Sequence, residues 1–160
     1  MGKIENLVEI LESQCSLYSE LIEIMALEKE AVTRWNVDDT IELTKRKDTV
    51  LYKEKVLEEA RKTSIKKLSL ELGIEDITLS DIIETCQDEE QRSRLQSVRE
   101  RLSNLVSKLN DENLALKIIY RTNIGLVSEF FDRLGITSTK TYGGTSKPAK
   151  GTTSIIDRRG

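Results

Sequence analysis

Residues 88–135 read DEEQRSRLQSVRERLSNLVSKLNDENLALKIIYRTNIGLVSEFFDRLG, and this stretch decides the fold. Asp88 can accept the orphan N–H groups of a first helical turn. Gln91 stands three residues on, where a capping-box partner belongs, and the early glutamates suit the positive end of the helix dipole. Apolar side chains then recur at alternating spacings of three and four: Leu95, Val98, Leu102, Leu105, Leu109, Leu116, Ile119, Leu126 and Phe130. Glu112 and Asn123 fill the two gaps in the series. No proline interrupts it, and Gly135 stands where a left-handed terminator belongs. Such a helix is on the order of 70 Å long at 1.5 Å per residue. A stripe of that length has to be covered by partner helices.

The N-terminal segment supplies the first. Ile4, Val8, Leu11, Cys15, Tyr18, Ile22 and Met25 follow a 4-3 rhythm that Val32 resumes after Lys29. A second row, Leu7, Ile10, Leu17, Leu21 and Ile24, widens the face enough to meet two neighbours. This helix opens near Lys3 and ends around Trp35-Asn36. After a corner, Asp39 and Glu42 are placed to cap a second helix over about Thr40–Leu72. Its seam is Leu43, Val50, Leu57, Leu68 and Leu72, with Ile41, Leu51, Ala60 and Ile65 beside it. From Glu42 to Lys67 it carries nine Lys/Arg against five Asp/Glu, an excess of +4. That excess is either a solvated face laced with i,i+4 pairs or a basic docking surface. Leu72-Gly73-Ile74 recurs as Leu134-Gly135-Ile136, so both long helices stop with the same chemistry. In the connector 75–87, Thr78, Ser80 and Asp81 offer caps for one or two helical turns built on Leu79, Ile82, Ile83 and Cys86. The expected fold is all-α: an elongated, largely antiparallel three-helix bundle, made of a long α-hairpin plus an N-terminal helix, with a flexible C-terminal tail.

The domains follow from where the periodicity stops. Residues 1–136 form the bundle and 137–160 the tail. The tail holds nine Ser/Thr in its first 18 residues, four glycines, the sole proline and a net charge of +4, a composition that does not bury a core. Tyr142 and Ile155-Ile156 are its apolar islands, of the kind that carry short docking motifs.

Composition narrows the chemistry. With 33% charged and 4% aromatic residues in 160, the chain favours long solvated helices. The net charge of −3 is too small to imply a nucleic-acid or membrane partner for the whole chain, and helix two and the tail have few aromatics for stacking. There is no histidine, hence neither the commonest metal ligand nor the commonest general base at neutral pH. Cys15 and Cys86 lie on separate helices and read as buried free thiols. No phosphate loop, CxxC, HExxH, calcium loop or nucleophile elbow is present. Residues 143–152 have the glycines and lysines of a phosphate loop in the wrong order. No apolar run fits a signal peptide or a membrane span. The expectation is a cytoplasmic protein that is not an enzyme, binds no cofactor or metal, and works by binding.

Two surfaces invite that role. Asn110-Asp111-Glu112-Asn113 is a polar patch inside the apolar rhythm, suited to register control or to contact with a ligand helix. Phe130-Phe131, with Leu126, Val127 and Leu134, places bulky apolar groups on more than one face of the helix end. They either pack under helix one or form a groove for an amphipathic partner.

The order of these elements resembles the FlgN family of flagellar type III export chaperones. The resemblance rests on the opening helix, the charged helix ending in Leu-Gly-Ile, and Leu109-Asn110-Asp111-Glu112-Asn113. It rests also on Thr141-Tyr142-Gly143 after the last helix, the Gly/Ser/Thr spacer, and Ile155-Ile156-Asp157-Arg158-Arg159. It implies a chaperone of protein export in flagellum biogenesis, without enzymatic activity. Such a protein holds the C-terminal amphipathic helices of hook–filament junction proteins, prevents premature assembly, and delivers the cargo to the export gate. Carried over, the gate-docking element is Tyr142 with Gly143, and the cargo-binding candidates are Leu126, Phe130, Phe131, Ile155 and Ile156. The partners implied are junction proteins and an export-gate component, with no nucleic acid and no membrane insertion, for a monomer or a dimer. The alternative is a structural or regulatory coiled-coil module of a secretion or ATPase assembly.

Overall fold

A computed structural model describes residues 2–135, without the side chains of residues 130 and 131. Four helices follow in order: α1 (Lys3–Thr33), α2 (Val37–Leu72), α3 (Leu79–Thr85) and α4 (Glu89–Arg133). No strand occurs among the described residues. The all-α expectation holds, and the connector turns are α3. Two compact units divide the chain, Met1–Lys117 and Ile118–Gly160, with the boundary inside α4. The expected boundary at 136/137 lies at the edge of the described residues.

In the first unit, polar contacts between helices give their directions. Lys3 meets Glu71, and Glu28 meets Lys47, so α1 and α2 are antiparallel. Arg94 reaches Glu5 and Glu12, and Lys29 reaches Glu112, so α4 rises parallel to α1. The core joins Leu7, Val8, Leu11 and Cys15 of α1, Leu68 of α2, Ile77, Ile82 and Ile83 of the connector and α3, and Leu95 and Val98 of α4. Each such aliphatic side chain contributes about 2 kcal/mol by leaving water. On the wide apolar face of α1, Leu21, Ile24, Met25, Ala31 and Val32 are buried as well, while Ile4, Ile10, Leu17, Tyr18 and Ile22 at its edges are partly so. The α2 seam is thinner than its leucines suggest. Leu43, Val50 and Leu68 are buried, whereas Leu72, Leu51 and Ile41 are exposed.

The ends of the helices follow local chemistry. At the close of α1 the Asn36 N–H donates to the Ala31 carbonyl at 2.9 Å, the long bond of a left-handed terminator, with Trp35 at φ 57°. Gly73 and Gly135 hold the equivalent conformation at φ 68° and 77°, so a bulky residue stands where the other two long helices use glycine. This sharp bend lets α2 begin at Val37 rather than near Thr40. Its cap is Asn36, whose Oδ1 accepts the Asp39 N–H at 3.1 Å, while Asn36 Nδ2 donates to Asp39 Oδ2 at 2.8 Å. The expected capping pair, Asp39 with Glu42, is therefore replaced by Asn36 with Asp39. A full capping box of Thr78 with Asp81 starts α3. Hydrogen bonds from the Thr78 backbone and hydroxyl hold the Asp81 carboxyl below its usual range. At α4, Asp88 Oδ1 accepts the Gln91 N–H at 3.0 Å, as the sequence suggests.

Candidate functional site

The stripe of α4 behaves differently along its length. In the first unit Leu95, Val98 and Leu116 are buried, and Leu102, Leu105 and Leu109 are partly so. Glu112, the polar interruption of this stripe, accepts a hydrogen bond at 3.0 Å from Lys29, the residue interrupting the α1 stripe. Both groups are partly shielded, at 22% and 36% exposure. The two gaps in the rhythms thus face each other. A slipped register would set each charge against apolar side chains, so the pair acts as a register lock. Asn110, Asp111 and Asn113 beside it are exposed.

Within the second unit, Ile118, Ile124, Leu126, Val127 and Leu134 are exposed, Ile124 at 69% and Leu126 at 52%. Ile119, Tyr120 and Asn123 are partly covered. Over residues 118–135 the ionic groups balance: Arg121 and Arg133 against Glu129 and Asp132, with Arg133 donating to Glu129 one turn back. The segment therefore offers apolar area with no net charge, which suits an apolar helix face better than an ionic ligand. Gly125 sits mid-helix, and a side chain added there would meet nothing within 4 Å of its Cβ, so packing does not require the glycine. It weakens the helix at that point by about 0.5–1 kcal/mol relative to alanine.

Of the expected site residues, Leu126 is thus exposed. Phe130 and Phe131 belong to α4, but their side chains lie outside the described residues, as do Tyr142, Gly143, Ile155 and Ile156 altogether. Ile118 and Ile124 are exposed residues that the stripe does not include. Their signal is that they are apolar yet off the 3-4 rhythm, a pattern that a helix covered on one side does not need.

The sequence also conceals a polar layer between α1 and α2. Gln14, only 2% exposed, donates Nε2 to Glu54 at 2.7 Å and to Glu58 at 3.1 Å. The Tyr18 hydroxyl donates to the same Glu54 oxygen at 2.9 Å. Arg61 closes the layer with donations to Glu58 at 2.5–3.2 Å. Burial, followed by the bond to Glu54, pushes the Tyr18 phenol well above its ordinary value. The Arg61 hydrogen bonds hold Glu58 below the usual carboxylate range, against some desolvation. Nearer the corner, Glu28 is 1% exposed and accepts from Lys47 Nζ at 2.7 Å. These groups satisfy one another, which reads as structural specificity rather than chemistry on a substrate.

Among the described residues no cluster of His, Cys, Asp or Glu could hold a metal ion, and no helix is long and apolar enough to cross a membrane. Cys15 and Cys86 are buried free thiols, and burial raises the Cys15 thiol above its ordinary value. No curated protein and no solved structure gives a significant match to the chain. The family model described as FlgN protein matches residues 1–150. That match spans most of the 160 residues, and the chain belongs to the FlgN family of flagellar export chaperones.

Proposed function

We propose that this chaperone holds the C-terminal amphipathic helices of hook–filament junction proteins on the second unit, along α4 from Ile118 to Leu134, with Phe130, Phe131, Ile155 and Ile156 contributing. Tyr142-Gly143 then docks on the cytoplasmic part of the export gate. FlgN chaperones are non-catalytic, so the work is done by binding and release. The observation that supports the reading most is the run of exposed Ile124, Leu126 and Leu134 on a segment without net charge. A cargo helix that later forms a coiled coil must have its stripe covered beforehand, and a second helix face is the natural substitute. Release at the gate requires that the affinity for cargo be moderate.

The test is calorimetry of the full chain with a peptide of a junction protein's last helix. Leu126→Glu places a charge on the apolar face and should weaken binding at least about tenfold, as for a central interface residue. Tyr142→Ala should keep cargo affinity and lose binding to the soluble domain of the gate. Wild-type cargo affinity in Leu126→Glu, with its melting temperature unchanged, removes α4 as the cargo surface.

A further inference from the structure

The joint between α1 and α2 changes character along its length. At the base, Leu68 enters the core with Leu7, Val8, Leu11 and Cys15, and Ile65 and Ile74 pack against it. Between Leu43 and Ser64 the only buried side chain of α2 is Val50. Lys47, Glu54, Glu58 and Arg61 take partly covered positions in that stretch, while Leu51, Tyr52 and Val56 stand exposed. The α1 side of the joint matches this. Gln14, Leu21 and Glu28 are spaced by seven and so share a helix face, and all are buried, at 2%, 6% and 1% exposure. Gln14 donates to Glu54 and Glu58, and Glu28 accepts from Lys47, so this is the face turned to α2. It is polar at both ends and apolar only at Leu21.

Such a joint costs little to open. Separation returns Lys47, Glu54, Glu58 and Arg61 to water, and hydration offsets much of what the broken hydrogen bonds contribute. The apolar burial given up is that of Val50 and Leu21, with the partial cover of Leu57 and Ala60. Opening the base would disperse a far larger apolar cluster, in which Leu68, Ile82, Ile83, Leu95 and Val98 join the start of α1. Stretches with few buried apolar groups open at lower free energy than the whole domain.

We propose that residues 44–61 of α2 form a strap that opens as a unit while the base stays folded. Its latch is Glu54, whose Oε1 accepts from both Gln14 and the Tyr18 hydroxyl, together with Glu58. Shut, the strap hides Leu21; open, it bares that leucine and its row on α1. The strap lies within the first unit and does not depend on the cargo reading of α4.

Native-state amide exchange of the full chain tests this residue by residue. Amides of residues 44–61 should exchange at least about a hundredfold faster, relative to their unfolded rates, than those of Leu11, Leu68, Ile83 and Leu95. Glu54→Ala strips two donors of their acceptor and should speed exchange in the strap about tenfold. The decisive variant is in the base. Ile83→Val should speed exchange of the base about fivefold and leave the strap unaltered, because the base remains folded when the strap opens. As a second readout, Leu21→Cys should make that position react with a thiol reagent at least about tenfold faster than Cys15, which sits in the base cluster. Equal protection of strap and base overturns the proposal. So does strap exchange that rises together with the base in Ile83→Val, or that ignores Glu54→Ala, or a thiol at position 21 as inert as Cys15.

Discussion

Leu95 and Leu126 stand on the same helix, in the same 3-4 rhythm, and meet opposite fates. Leu95 is wholly buried with Val98 in the core of the first unit, whereas Leu126 in the second is half exposed beside Ile124 and Val127. Heptad spacing states that a stripe needs covering and leaves open what covers it. In the first stretch this chain supplies the cover from α1, α2 and α3. In the second, Leu126 is exposed among the described residues, while Ile119 and Asn123 are only partly covered.

The sharpest way to break this contrast is to truncate both leucines. Leu95→Ala should cost about 3 kcal/mol, the transfer loss plus a cavity, and lower the melting temperature by many degrees. Leu126→Ala should change stability by no more than about 0.5 kcal/mol. Equal losses in thermal melts would mean that both halves of the stripe are covered within the free protein.

A smaller effect is expected at Gly125. Alanine there meets no neighbour and should raise local helix stability by about 1 kcal/mol, seen as slower amide exchange over residues 120–130 and little change in the global melt. If the same variant binds cargo more weakly, the helix must yield to receive it. If it binds more tightly, the glycine merely costs order.

The smallest effect concerns pH and belongs to the first unit. The native state holds the Glu58 pKa below its ordinary 4.5 through Arg61. Its contribution is therefore present above pH 4.5 and lost as pH falls through the lower native value. Glu58→Gln should melt with a shallower acid limb below about pH 4.5 than the parent. An identical limb would show that the Gln14–Glu58–Arg61 layer does not sense acid.

Much of the fold is legible in the sequence because its signals are local. The Asp88 cap, the Thr78 and Asp81 cap, and the glycine stops at Gly73 and Gly135 each need only a few neighbouring residues to act. Lys29 and Glu112 can be seen as interruptions, but not as each other's partners, since pairing across 83 positions depends on tertiary register. The start of α2 lies three residues before its expected place because a tryptophan in a left-handed bend is not what steric preference leads one to expect. Gln14, Glu28 and Glu54 escape because polar groups drawn between helices look like surface residues until their partners are known. At the candidate cargo site, Leu126 is legible from the stripe, and Ile124 is not, because a rhythm discards apolar residues that fall between its beats.

Trp35 is the chain's only tryptophan, half exposed at the bend between α1 and α2. Indole emission from this protein therefore comes from one address. A shift in its wavelength as a ligand is added reports that bend being touched or opened. A titration that leaves the emission flat while heat is released places the ligand elsewhere, and no label has to be attached to learn it.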